Sequence, residues 1–120
     1  MAGKQTGEFS LKSTSITVSP GPASSTLSQV NFEGTASGYG AVLGTAIFVG
    51  DKSGTYSWCG QAYLDSGDII TGNGPGTFES IARHKWRTRG TIQLSDGRAV
   101  RTEGDIDLAT RSWTGKLSEV

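Results

Sequence analysis

Along most of the chain, apolar and polar residues alternate in short runs. Candidate strands recur at hairpin spacing over residues 6–13, 15–19, 26–36, 41–50, 54–65, 77–89, 90–95, 98–108 and 112–118. Joined as one long bent strand, 77–89 and 90–95 bring the count to eight. Strands of this spacing, with turn signals between them, predict an all-β sandwich or barrel. Stretches with helix caps and a 3.6-residue period are hard to find. The segment SPGPASS, residues 19–25, reads as a loop inside the fold, and GNGPG, residues 72–76, as a turn before a strand. No composition shift marks a boundary, so one antiparallel β-barrel domain over residues 1–120 is expected.

Two hairpins can be registered from pattern. Across Asp51-Lys52-Ser53, pairing Gly50 with Gly54 sets Phe48 opposite Tyr56, Ala46 opposite Trp58 and Gly44 opposite Gly60. Large residues then meet small ones on one apolar face. The opposite face, with Leu43, Thr45, Ile47 and Val49 against Gln61, Cys59, Ser57 and Thr55, is mixed. It suits an outer surface or a subunit contact.

The second hairpin turns at LSDGRA. A two-residue Asp-Gly loop pairs Ile92 with Arg101 and mixes apolar with charged residues on both faces. A three-residue loop, Ser95-Asp96-Gly97 with Gly97 in a left-handed bulge, shifts the register by one. Ile92 then meets Val100, Trp86 meets Ile106 and His84 meets Leu108. On the other face Arg89 meets Glu103, Arg87 meets Asp105 and Lys85 meets Asp107. A one-residue slip exchanges the faces, so the second register is much the better choice. The basic run ARHKWRTR thereby becomes half of a surface ion-pair ladder, with Arg83, Arg98 and Arg101 left over for a small anion.

Composition narrows the function. Eleven Lys and Arg balance eleven Asp and Glu. Bulk binding to nucleic acid or an anionic membrane usually needs a basic footprint, so neither partner is expected. The single cysteine, Cys59, excludes an internal disulfide. MAGKQTGEF contains no apolar core of a signal peptide. A cytoplasmic protein is the simplest expectation, with homo-oligomer formation open.

The candidate chemistry lies between the charges. The chosen register sends His84 and Trp86 inward, toward an interior drawing on Phe32, Phe48, Tyr56 and Trp58, with Trp113 a further candidate. Glycines 34, 44, 60, 104 and 115 share that face and leave space or mark bends. Aromatic walls with a few polar groups describe a small-molecule pocket. A histidine exchanges a proton near neutral pH, so His84 can act as acid or base. The Tyr56 hydroxyl can polarise a carbonyl or an oxyanion. The plainer alternative makes His84 a hydrogen-bonded core residue and Tyr56 a packed aromatic. No spacing suggests a metal site. Cys59 falls on the face opposite Tyr56, which argues against a Cys–His pair.

The stretch TGNGPGTFE, residues 71–79, resembles the glycine-rich turn and following Phe of the allene oxide cyclase and dirigent β-barrels. Gly74, Gly76 and Phe78 fit that pattern, while Ser80 stands where a glycine is often found. GEFSLKS and FEGTASGYG are also similar to small bacterial barrels related to these cyclases. The resemblance implies an eight-stranded antiparallel barrel, often oligomeric, with an apolar pocket and no cofactor. The expectation is therefore a cofactor-independent isomerase, cyclase or lyase acting on a small apolar or aromatic molecule. In it His84 and Tyr56 are catalytic, and Trp86, Trp58, Phe32 and Phe48 shape the substrate. The alternative is the same barrel binding a small apolar ligand without chemistry.

Overall fold

A computed structural model describes residues 4–120 as eight antiparallel strands in one closed barrel. The strands are β1 (Gln5–Pro20), β2 (Thr26–Ala36), β3 (Gly40–Gly50), β4 (Ser53–Tyr63), β5 (Ile69–Ala82), β6 (Lys85–Leu94), β7 (Ala99–Asp107) and β8 (Ser112–Glu119). Each pairs with its neighbours in sequence, and β8 closes on β1. Closure leaves no strand edge unpaired. Among the described residues, no helix is long and apolar enough to cross a membrane.

The strand number is as expected, but two memberships differ. Segments 6–13 and 15–19 are one strand, β1. Ser13 pairs with Phe32 and Ser15 with Asn31, so Thr14 is an extra residue that forms a bulge. Before the bulge Phe9 and Leu11 face inward. After it Ile16 pairs with Val30, and Val18 with Ser28, on the same inner face. The bulge thus explains why the apolar spacing changes phase within a single strand.

Segment 77–89 is not continuous. It breaks at Arg83-His84, and its first half belongs to β5, which also takes in GNGPG. That string is strand, not turn. Gly72, Gly74 and Gly76 pair with Gly60, Trp58 and Tyr56 of β4, and none of the three has a positive φ. The absent side chain matters for a different reason. A Cβ on Gly76 would run into the Tyr56 ring, and one on Gly44 into the Trp58 ring. These glycines seat rings that large neighbours push across the barrel.

Both predicted hairpin registers are present. Gly50 meets Gly54, Phe48 meets Tyr56 and Ala46 meets Trp58. Between β6 and β7, Gly97 has φ 93° in the turn, and Ile92 meets Val100. The outer ladder carries Arg89 3.1 Å from Glu103, Arg87 3.2 Å from Asp105 and Lys85 3.7 Å from Asp107. Arg89 also reaches Glu79 of β5 at 3.6 Å. The hydrogen bond and charge of Asp105 raise the pKa of Arg87. Of the leftover cations, Arg98 pairs with Asp96 in its own turn. Arg83 and Arg101 stay without an ion pair among the described residues.

Reversing the pair tests this register by chemical denaturation. Arg87→Asp and Asp105→Arg should each lower stability, since each places like charges opposite on the ladder. The double exchange should recover most of that loss; a double variant no better than the singles would refute the pairing.

Candidate functional site

The interior is organised around Trp113 on β8, which is 3% exposed. Its ring centroid lies 5.1 Å from Phe32, 5.4 Å from Tyr56, 5.8 Å from Trp58, 5.9 Å from Phe48 and 6.0 Å from Phe9. Most of these contacts are tilted or edge-on, the geometry that ring quadrupoles favour. A small polar set accompanies the rings. The indole N–H of Trp113 donates to Thr88 Oγ1 at 2.9 Å, and Thr88 donates to the Gly104 carbonyl at 3.2 Å. Thr102 donates to the Gly90 carbonyl at 3.4 Å. The Tyr56 hydroxyl stands beside Thr102 and Thr88. Burial raises the pKa of that hydroxyl, and the two threonines pull it back.

This cluster divides the barrel into two ends. The upper end carries the β2–β3, β4–β5 and β6–β7 connections. There an apolar cleft of about 100 Å³ descends to Tyr56, Trp58 and Trp113. Tyr39 stands at its wall with the Arg98 guanidinium 5.6 Å above the ring. The lower end carries the other four connections, and its mouth holds about 300 Å³. Val30, Phe32, Phe48, Phe78, Trp86 and Ile106 wall it, with Ile16, Val18 and Leu108 at the rim. The Trp86 indole donates to the Asp51 carbonyl at 3.0 Å, which fixes the ring across the opening.

The predicted site residues are therefore split. Tyr56 and Trp58 face the upper cleft, while Trp86, Phe32 and Phe48 face the lower mouth. His84 lines neither, and the expectation that it points inward is corrected. It occupies the β5–β6 turn, is exposed, and has φ 59°. The register was right as far as Lys85, and Leu108 N–H does donate to the His84 carbonyl at 3.0 Å. The chain turns there, however, so the strand that should have aimed the imidazole does not exist. Histidine is among the residues that tolerate this left-handed conformation. Tyr56 is level with Gly76 and Gly90, six residues along β6 from His84. At the rise of a strand that is roughly 20 Å, too far for shared proton transfer.

Thr88 and Thr102 are buried polar residues beyond the expected site, on the inward parity of Trp86 and Val100. Cys59 is exposed on the outer wall. Among the described residues, no three His, Cys, Asp or Glu side chains gather as metal ligands.

Backbone conformation also separates the ends. Among the described residues, the four non-glycine residues with positive φ, Ala23, Ser24, His84 and Arg111, all lie in lower connections. Upper turns use glycine at such positions: Gly38, Gly67 and Gly97. Strained residues of this kind cluster at ligand sites and switches. No protein family, curated protein or solved structure matches the chain.

Two outcomes follow for the cluster. Trp113→Ala should cost about 3–5 kcal/mol in urea unfolding, the range for a large buried ring, with Trp113→Phe losing less. Second, a raised phenol pKa stabilises the fold at every pH below the ordinary phenol range, and that part is lost as pH rises through it. Tyr56→Phe should therefore flatten the alkaline fall in stability above about pH 10. An unchanged alkaline limb would show that Tyr56 ionisation does not couple to folding.

Proposed function

We propose that this barrel binds a small apolar or aromatic molecule in its lower mouth without transforming it. The observation that carries the proposal is the mouth itself. About 300 Å³ walled by Phe32, Phe48, Phe78 and Trp86 lies at the small end of the range of ligand pockets. The upper cleft, at about 100 Å³, is smaller than a cavity that just admits benzene. The strained lower connections favour the same end.

Binding is preferred to turnover because the expected acid and base are apart. Tyr56 keeps a buried hydroxyl, but His84 lies outside both openings. The proposal keeps the barrel and apolar pocket that the resemblance to allene oxide cyclases implies, and leaves out their chemistry. The free, exposed thiol of Cys59 fits a reducing compartment, and with it the cytoplasmic location expected from the sequence.

Titration with neutral aromatics of naphthalene size tests the assignment through tryptophan fluorescence. Quenching should saturate, and Trp86→Ala should weaken binding about tenfold, equivalent to about 1.4 kcal/mol. Trp58→Phe, at the other end, should leave affinity unchanged. Loss of binding in Trp58→Phe with retention in Trp86→Ala would move the site to the upper cleft. Product formation that disappears in His84→Ala would restore the catalytic assignment.

A further inference from the structure

We infer that the occupant of the lower mouth is an amphipathic anion: an apolar chain or ring carrying one carboxylate. The inference rests on the proposed mouth site and adds the polar end of its ligand.

The chain is neutral overall, but its turns are not. In the lower connections Lys52, Arg83 and Arg111 stand with only Asp51, which leaves two positive charges before His84 is counted. In the upper connections Asp65, Asp68 and Asp96 face only Arg98, which leaves two negative charges. The apolar mouth therefore opens at the positive end of the barrel. Charges placed around a low-dielectric opening raise the local concentration of ions of opposite sign.

Arg111 connects that field to the mouth. It lines the opening beside Leu108 and Ser112 and forms no ion pair among the described residues. Two acids line the same opening, and a lysine accompanies each. Asp107 is held by Lys85 at 3.7 Å and accepts the Ala109 N–H at 3.0 Å. Asp51 lies in the turn whose carbonyl receives the Trp86 indole, with Lys52 next to it. A guanidinium recognises a carboxylate with paired N–H donors, which an uncharged polar group cannot match. An apolar body between Phe48 and Trp86 would leave its carboxylate at the rim, beside Arg111. The buried walls carry no cation to receive it deeper.

Octanoate and 1-octanol, the same chain with and without the charge, form the test, with calorimetric titration of the full chain. Octanoate should bind about two- to fivefold more tightly than octanol at low salt, the range for an exposed ion pair. The preference should disappear in about 0.5 M salt, where the screening length is a few ångström. Arg111→Gln should abolish the preference and retain octanol binding, while Arg111→Lys should keep part of it. Thermal melts of both variants establish that they fold.

Equal affinity for the two ligands, independent of salt, would overturn the charge assignment and leave the mouth site standing. Binding of neither would overturn the mouth site as well. Sedimentation with phosphatidylglycerol vesicles, without binding of free octanoate, would overturn it in favour of a membrane surface.

Discussion

The packing of Trp113 against five other rings is the contact on which the rest depends. Eight strands closed on themselves enclose a space that side chains must fill. Here one β8 residue reaches Phe9, Phe32, Phe48, Tyr56 and Trp58, which come from four other strands. Rings of that size fit only because the facing positions are empty. Gly76 lies under Tyr56, Gly44 and Gly60 lie against Trp58, and Gly104 and Gly115 lie against Phe9. The high glycine content is thus part of the core, although glycine contributes no apolar surface itself.

The same cluster determines what the barrel can hold. A continuous tunnel would admit a long ligand, but the rings close the middle, and the Trp113 indole is tied through Thr88 to the Gly104 carbonyl. What remains is two shallow openings of unequal size. They differ in charge and in backbone strain as well as volume. All three differences point to the lower mouth, where exposed Ile16, Val18 and Leu108 surround Trp86. Stability sits in the centre, and the proposed binding site at one end.

Much of the fold was legible in local pattern. Alternation fixed the strands, and opposite charges at matching positions fixed the β6–β7 register, because a slip by one residue would have buried arginines. Large-against-small pairing fixed β3 against β4. The failures share a cause. GNGPG looks like a turn because glycine most often marks one, whereas Gly76 makes room for the Tyr56 ring on the strand paired with it. Parity points His84 inward only if β6 is extended one residue beyond Lys85, where the strand begins. Nothing in ARHKW marks a turn as Asp-Gly does, and the left-handed His84 has no local sequence signature.

The sequence by itself determined the all-β class, the strand number, the two hairpin registers and the aromatic identity of the interior. Those are consequences of period-two patterning and cross-strand pairing, which act between near neighbours. Only the tertiary structure decided that Trp113 is central, that Tyr56 and His84 stand roughly 20 Å apart along the wall, and that the predicted binding residues divide between two ends. Closure of the barrel brings β8 against β1 and stacks rings from distant segments at one level. Which residues share a level depends on the bulge at Thr14 and on where each turn falls, and these are set by the whole ring of strands together.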